Sequence, residues 1–563
     1  MSQGSSRPLH GAILGTLVVV FVGAVASLRE APEAATPFGP SPVARGKRIA
    51  IASAADEASL AGIRAFEEGG NVVDAAVAVT FAVSVARPQS TGLGGGGFFL
   101  VHDARTGDVE ALDAREVAPA SARADMYRDH PDESLDGPRA VAVPSIVAGV
   151  LDLHARRGSL PLATLLAPAI RLAREGVRVS SGLAHACAAR RAVLARDPEA
   201  ARIFLPGGEP LQAGTLLVQE DLARTIEAIA QGKTLRDFAP AIVHATRGAV
   251  TATDLAIYAP RRRVPIRGTY RGHTIVSFPP PSSGGLLLVE MLNVLETFAL
   301  ASLPEGERAH VVVETMRRAY RDRAEFLGDA DFVSVPSRGL VSKEYARELA
   351  SKIGSRAARE IAPGPAFAHE SDHTTHFTVV DDAGNAVAST QTVNYSLGSC
   401  VVAPGTGIVL NDEMDDFAAR PGEPNAYGLV QGEANAVAPG KRPLSSMTPT
   451  FVLEGRELTL ALGSPGGSRI ITAVLQTIVN RLDLGLSPAL SVAAPRLHHQ
   501  WMPDEAALEP GFPPSVLREL EARGHKVVPT GPGNDVEAVF RDPVRRVLTA
   551  VSDPRSEGQP ESR

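Results

Sequence analysis

The chain has 563 residues, of which 56 are Lys or Arg and 63 are Asp or Glu, so its formal net charge is −7. This acidic balance and the scattered basic residues exclude a typical nucleic-acid-binding protein, and 44% hydrophobic with 21% charged residues excludes a largely disordered chain. The two cysteines, Cys187 and Cys400, are too few for a disulfide framework, and the length alone suggests three or four domains.

The N-terminus has the pattern of an export signal. Residues 12–28 are apolar or small, a run shorter than the roughly 20 residues that a membrane span needs. The sequence Ala-Val-Ala at 24–26 is a small-x-small cleavage pattern, so we predict a signal peptide over 1–26 and a linker over 27–48. We therefore expect an exported protein, periplasmic or secreted. An uncleaved N-terminal membrane anchor is the alternative.

The first part of the body alternates strand and helix patterns. The apolar run at 49–53 predicts a strand, and the helical spacing that follows it ends at Gly69-Gly70. Residues 74–86, rich in Ala and Val, predict a buried helix. The glycines at 92–97 satisfy the letters GxGxxG, but a helix precedes them and a strand follows, the reverse of a dinucleotide-binding motif. We expect no nucleotide site there.

The rest of the chain is mixed α and β without an internal repeat. Residues 144–260 are mainly helical in pattern, the basic run at 261–263 is expected to be a solvated turn, and the Pro- and Ala-rich stretch 361–369 predicts a flexible boundary. Strands are predicted at 264–278, 376–382, 386–393, 407–411, 448–455 and 458–464, and helices at 286–298, 309–327 and 469–481. The strand runs on either side of Gly384-Asn385 predict a β-hairpin.

Two threonines follow the flexible boundary directly. Thr374 and Thr375 begin a strand that a core would normally start with an apolar residue. A threonine becomes a good nucleophile when a base activates it, and the simplest base is its own α-amine after the chain is cut just before it. The pKa of an α-amine, about 7.7 to 8, suits catalysis near neutral pH. From these residues alone, ordinary threonines on a half-buried strand remain the other interpretation.

Ten motifs occur in order along the chain. They are GGNVVDAAVAV at 69–79, STGLGGGGFFLVHD at 90–103, ARE at 114–116, PPPSSGG at 279–285, TTHFTVVDDAGNAVA at 374–388, NDEMDDF at 411–417, KRPLSSMTP at 441–449, GSPGGSRI at 463–470, PRLHHQW at 495–501 and SDPRS at 552–556. Through these motifs the sequence resembles the γ-glutamyltransferase (γ-glutamyltranspeptidase) family of N-terminal-nucleophile hydrolases, from about residue 48 to residue 555.

The resemblance implies the fold and its processing. The expected fold class is α/β (α+β), a four-layer αββα sandwich of the N-terminal-nucleophile hydrolases, in which two interleaved chains form one domain after autocleavage. The cut is expected between His373 and Thr374. It gives a large subunit at 49–373 and a small catalytic subunit at 374–563, which ends in a tail at 556–563. On this basis the count of three or four domains is too high.

The resemblance also implies roles for individual residues. The catalytic residues are the nucleophile Thr374, a supporting hydroxyl on Thr392, and the oxyanion-hole glycines Gly466 and Gly467. The residues expected to bind the substrate α-carboxylate are Arg115, Ser445 and Ser446, and those expected to bind its α-ammonium are Asn394, Glu413 and Asp416. A lid loop at 421–440 carries Tyr427, expected to close over the bound glutamyl group. No cofactor and no metal site is expected.

The expected activity is γ-glutamyl transfer and glutathione hydrolysis. Thr374 forms a γ-glutamyl ester from glutathione or another γ-glutamyl compound, and water or an amino acid or dipeptide amine resolves it. The large and small subunits are expected to remain a heterodimer, with no nucleic-acid partner and a membrane contact only through an uncleaved N-terminus. Two alternatives stay open: a glutaryl-type β-lactam (cephalosporin) acylase of the same fold, and a non-catalytic exported relative.

Overall fold

Two seven-stranded antiparallel sheets form the centre of the molecule. The computed structural model describes Met1 and residues 36–358, 374–418 and 431–563. Within these residues the strands are β1 Val43–Gly46, β2 Ile49–Ser53, β3 Gly96–Asp103, β4 Asp108–Ala114, β5 Val177–Arg178, β6 Leu216–Leu217, β7 Arg261–Arg263, β8 Ile266–Tyr270, β9 His273–Ser277, β10 Thr375–Asp381, β11 Ala386–Thr392, β12 Val401–Ala403, β13 Ile408–Leu410, β14 Thr450–Glu454, β15 Glu457–Gly463, β16 Leu497–His498, β17 Ala506–Leu508, β18 Val527–Pro529, β19 Glu537–Asp542, β20 Val547–Ser552 and β21 Glu561–Ser562.

Both large sheets combine strands from the two halves of the chain. The first, sheet I, has the strand order β21-β2-β10-β11-β3-β4-β7, and the second, sheet II, has the order β1-β20-β19-β15-β14-β9-β8. In sheet I, β10 and β11 form the predicted hairpin and lie between β2 and β3. The described residues after position 35 therefore form one unit, not three or four domains.

Helices cover the outer face of each sheet. The α-helices of the described residues are α1 Asp56–Glu67, α2 Val72–Ala86, α3 Ile146–Arg157, α4 Leu162–Glu175, α5 Ser181–Ala189, α6 Arg191–Leu194, α7 Pro198–Phe204, α8 Glu220–Ala230, α9 Ala239–Ala245, α10 Ala252–Ile257, α11 Gly284–Leu295, α12 Glu305–Phe326, α13 Ser337–Leu340, α14 Lys343–Ser351, α15 Arg469–Leu482, α16 Pro488–Ala493 and α17 Pro514–Arg523. Helices α1 and α2 pack on sheet I, whereas α11, α12 and α15 pack on the side of sheet II.

Three apolar layers hold these elements together. The middle layer lies between the two sheets, where the rings of Phe98 and Phe278 stack with their centroids 4.0 Å apart. The outer layers join each sheet to its helices. Since α2 lies between sheet I and other helices, it is buried on all sides, and its N-terminus is fixed by a capping box between Asn71 and Asp74. This arrangement confirms the predicted αββα sandwich.

Short strands account for most differences from the sequence-based predictions. The basic run expected to be a turn forms β7, because Arg263 pairs with Asp113 and Asp331 at the edge of sheet I. The ranges expected to be a linker and a tail contain β1 and β21, which pair with β20 and β2 respectively. The signal-peptide prediction falls almost entirely on residues 2–35, outside the described part. None of the described helices is long and apolar enough to span a membrane.

Candidate active site

The candidate nucleophile lies at the start of a central strand. Thr374 directly precedes β10, and Thr392 is the last residue of β11. The hairpin register pairs Thr375 with Gln391, so Thr374 and Thr392 are the next residues along the two strands. Both line a small cavity of about 20 Å³. Its other lining residues are Arg115, Arg323, Asn394, Glu413, Asp416, Leu444, Ser445, Ser446, Met447, Gly467 and Ile470.

The cavity contains an arginine that lies between two carboxylates. Arg115 follows β4, while Glu413 and Asp416 begin and end a single 3₁₀ turn. The two terminal nitrogens of Arg115 donate one hydrogen bond each to Glu413 and Asp416, and its Nε donates to the carbonyl of Pro443 over 3.3 Å. Arg115 is fully buried. Sequence reasoning expected a substrate cation between these carboxylates; in this structure Arg115 occupies that position.

Burial shifts the titration of this cluster. It raises the pKa of Glu413 well above the ordinary range, and it raises the pKa of Asp416 as well. It also raises the pKa of the neighbouring Glu116 to about 8. Burial alone would lower the pKa of Arg115, but Glu413 and Asp416 outweigh it and raise that pKa above its ordinary value. Arg115 therefore stays protonated, and the buried carboxyl groups around it compete for interaction with its positive charge.

Asn394 enters the cavity from a strained backbone position. Its φ is +73°, in the left-handed region, which Asn adopts more readily than most other residues. The backbone N–H of Asn394 donates to Thr392 Oγ1 over 2.8 Å, and its side-chain amide donates to the Asp412 carbonyl over 3.1 Å. These bonds tie Asn394 both to the hairpin end and to the segment that carries Glu413.

The serine pair also lines the cavity and is held in place by the PPPSSGG segment. Ser445 N–H donates to the Pro281 carbonyl over 2.9 Å, and Ser283 Oγ donates to the Ser445 carbonyl over 2.8 Å. Ser446 Oγ accepts a hydrogen bond of 3.3 Å from Arg323. The two motifs, distant in sequence, therefore form one wall.

The two glycines form the loop between β15 and α15. Gly466 and Gly467 have φ values of +116° and +53°, where a side chain would be strained. A Cβ at Gly466 would also lie 2.5 Å from the Cβ of Asn534. Gly467 lines the cavity, and Gly466 is its direct neighbour in the loop. Backbone N–H groups in such a loop can approach a ligand without interference from a side chain.

One charged residue of the cavity was missed by sequence reasoning. Arg323, on α12, lines the cavity. His376, on β10, is completely buried between Thr390 Oγ1 at 2.9 Å and Thr378 Oγ1 at 3.0 Å, and burial lowers its pKa to about 3. His376 is thus a neutral structural residue. The described residues contain no cluster of His, Cys, Asp or Glu suited to a metal ion.

Part of the expected lid can be located. His373, Tyr427 and residues 421–430 lie outside the described residues. The following segment is anchored at Asn435, whose amide nitrogen donates to the Asp416 carbonyl over 2.7 Å and whose oxygen accepts from Leu444 N–H over 3.0 Å. This side chain joins the carboxylate turn to the strand-like segment that carries the serine pair.

Two facing sheets, outer helices and a threonine at the start of a central strand define the class of N-terminal-nucleophile hydrolases. A crystal structure of cephalosporin acylase from Bacillus halodurans is similar to this chain with a TM-score of 0.83 and 29% identity, covering 92% of this chain and 97% of that one. The Helicobacter pylori gamma-glutamyltranspeptidase structure is 38% identical with a TM-score of 0.52, covering 55% of this chain and 92% of that one.

Sequence comparison identifies the family within this class. The family model described as gamma-glutamyltranspeptidase matches residues 58–562. A glutathione hydrolase proenzyme of Escherichia coli (strain K12) is 44% identical over 530 residues, which cover 91% of this chain and 91% of the relative. The chain belongs to the γ-glutamyltranspeptidase family, as the sequence motifs predicted.

Proposed function

We propose that the chain is the precursor of a γ-glutamyltransferase and glutathione hydrolase, which is cut before Thr374 to give large and small subunits. The observation that carries this proposal is the cavity that Thr374 and Thr392 line together with Arg115, Glu413 and Asp416. It combines a candidate nucleophile with charged groups of both signs, the set that an α-amino acid head group requires.

The proposed acylation uses the residues of this cavity. In the mature small subunit, the α-amine of Thr374 accepts the proton of its own hydroxyl while Oγ1 attacks the γ-carbonyl of the donor. Backbone N–H groups of Gly466 and Gly467 stabilise the oxyanion. The protonated amine then gives its proton to the leaving amine, the C–N bond breaks, and a γ-glutamyl ester remains on Thr374.

Deacylation decides between the two products. Water attacks the ester and releases glutamate, whereas the amine of an amino acid or dipeptide gives a new γ-glutamyl compound. Because an acceptor amine attacks only in its neutral form, the ratio of transfer to hydrolysis is expected to rise above pH 8 or so. Product analysis of one donor and one acceptor from pH 7 to about 9.5 tests this, and a constant ratio would contradict it.

Maturation provides the first experiment. Purified wild-type protein is expected to give two bands on a denaturing gel, and N-terminal sequencing of the small band is expected to begin Thr374-Thr375-His376. Thr374→Ala is expected to give one uncut band and no activity. A wild-type chain that stays uncut after long incubation would favour the non-catalytic alternative instead.

The acylase alternative differs in the donor. A glutaryl donor carries a carboxylate but no α-amine, so it has no use for Asn394, Glu413 and Asp416, which together favour a donor with an ammonium group. Rates with γ-glutamyl and glutaryl anilides of the same leaving group separate the two activities. Faster cleavage of the glutaryl anilide would overturn the proposed donor while leaving the nucleophile assignment intact.

Export is part of the proposal and rests on the sequence pattern of residues 1–26. Cleavage after the Ala-Val-Ala pattern gives a large subunit that begins at Ser27. Cell fractionation and N-terminal sequencing of the large band test this. A large band that starts at Met1 and stays with the membrane fraction would support the anchored alternative.

A further inference from the structure

We infer that Arg323 is a second guanidinium that binds the α-carboxylate of the donor, an inference that rests on the proposed function. Arg323 lies on α12 of the large subunit and lines the cavity together with Thr374. The residue is 2% exposed, so its charge is withdrawn from bulk solvent.

Two hydrogen bonds hold the Arg323 side chain in place, but they do not use all of its N–H groups. Its Nε donates to Ser283 Oγ over 3.0 Å, and its Nη2 donates to Ser446 Oγ over 3.3 Å. No described residue accepts a hydrogen bond from Nη1. A buried N–H group without an acceptor costs free energy unless a ligand supplies one. The two serines thus leave one nitrogen of Arg323 available to a ligand.

The charge distribution in the cavity supports a carboxylate as this ligand. Arg115 is already bound by both Glu413 and Asp416 in the unliganded site. By contrast, burial lowers the pKa of Arg323 to about 10, and Tyr320 and Asp416 only partly offset this effect. Arg323 is therefore the less neutralised of the two arginines, and an incoming carboxylate gains more from it.

Position makes the α-carboxylate the part of the donor that meets Arg323. Ser446, which accepts from Nη2, is one of the serines proposed to bind that carboxylate. The ammonium group has its own candidate partners in Glu413 and Asp416, the carboxylates that Arg115 contacts. A zwitterionic head group can then lie with its negative end towards Arg323 and Ser446 and its positive end towards Glu413 and Asp416.

Three anilide donors with the same leaving group test this assignment. The γ-glutamyl donor has both head groups, the glutaryl donor has only the carboxylate, and the 4-aminobutyryl donor has only the amine. For Arg323→Met we expect kcat/KM to fall about 10- to 100-fold for both carboxylate donors and to change little for the 4-aminobutyryl donor. Arg323→Lys, which keeps the charge without the planar fork, is expected to lose less.

Other outcomes overturn the inference. Equal losses with all three donors would show a structural role, and a loss confined to the two amine-bearing donors would show that Arg323 acts through Asp416. Arg308→Met is the control, because Arg308 is on the same helix and, among the described residues, its side chain makes a single hydrogen bond, of 3.4 Å to the Leu303 carbonyl. Wild-type protein that does not cleave the γ-glutamyl donor would refute the proposed function itself, which is a separate result.

If an Arg323 variant fails to mature, a structure of the wild-type protein can still test the inference directly. In a crystal structure of the mature wild-type protein with bound glutamate, Nη1 of Arg323 is expected within hydrogen-bonding distance of an α-carboxylate oxygen. A carboxylate that contacts only Arg115, Ser445 and Ser446 would overturn the inference without any variant.

Discussion

Replacing Gly463 by Ala tests how the two sheets position the nucleophile. Gly463 ends β15 in sheet II and faces His376 of β10 in sheet I. A Cβ at this position would lie 2.3 Å from Cε1 and 2.4 Å from Nδ1 of the imidazole. These distances are more than about 1 Å shorter than an ordinary van der Waals contact. The ring cannot turn away freely, since Thr390 and Thr378 hold both of its nitrogens.

The expected loss of unfolding free energy follows from these contacts. Overpacking in a closed core costs roughly 1 to 3 kcal/mol, and weakening the two hydrogen bonds of His376 adds about 1 kcal/mol each. We therefore expect Gly463→Ala to lower the free energy of unfolding by about 3 to 5 kcal/mol. Because His376 is two residues after Thr374, the shift is also expected to slow maturation.

Urea unfolding measures the effect on stability. The substitution is made in the uncut Thr374→Ala precursor, so that both proteins are single chains. Gly531→Ala is the matched control, because apart from its chain neighbours no described residue has an atom within 4 Å of the added Cβ. In a His376→Ala background, Gly463→Ala is expected to cost much less. A cost that is the same with and without the imidazole would refute the steric reasoning.

Three further predictions concern single side chains. Thr392→Val is expected to lower kcat about 10- to 100-fold and Thr392→Ser to retain most of it, because we propose that the hydroxyl supports the nucleophile; an equal loss of kcat in both variants in steady-state assays would contradict this. Asn435→Ala removes the bonds to Asp416 and Leu444 and is expected to raise KM more than it lowers kcat, whereas an unchanged KM would contradict the anchoring role. Burial lowers the pKa of His525 to about 4 from an ordinary 6.5, so its neutral form stabilises the fold above pH 6.5 or so and this contribution is lost as the pH falls towards 4. The free energy of unfolding of His525→Asn is therefore expected to fall less than that of the wild type between pH 6.5 and about 4, as measured by urea titrations. Parallel pH profiles of the two proteins would contradict this assignment.

Local sequence patterns predicted the helices and strands whose signals lie within their own residues. The β10–β11 hairpin followed from two strand-like runs around Gly384-Asn385, and α2 followed from a continuous apolar run. Strands β1, β7 and β21 were not predicted because each has only two to four residues. Their strand conformation comes from partners far away in sequence, as in the pairing of β21 with β2.

The residues of the candidate site likewise divide into those that local motifs predict and those that only the packing identifies. Arg115 and the serine pair lie in recognisable motifs, so the resemblance could assign them roles, which stay predictions. Arg323 lies instead among the arginines of α12 with Arg317, Arg318 and Arg321. Helical spacing separates the faces of α12, but it does not tell which face meets the cavity. Arg317 and Arg318 bind Glu314, whereas Arg323 reaches Ser446. Only the packing of α12 distinguishes them.

The topology makes the proposed activity a property of both subunits together. Thr374 belongs to the proposed small subunit, but β10 and β11 are hydrogen-bonded on their outer sides to β2 and β3 of the proposed large subunit. An isolated two-stranded hairpin is only marginally stable in water. The large subunit also supplies Arg115 and Arg323 to the cavity. A cut before Thr374 therefore frees an α-amine without releasing the nucleophile, because strands from the other chain hold it in position.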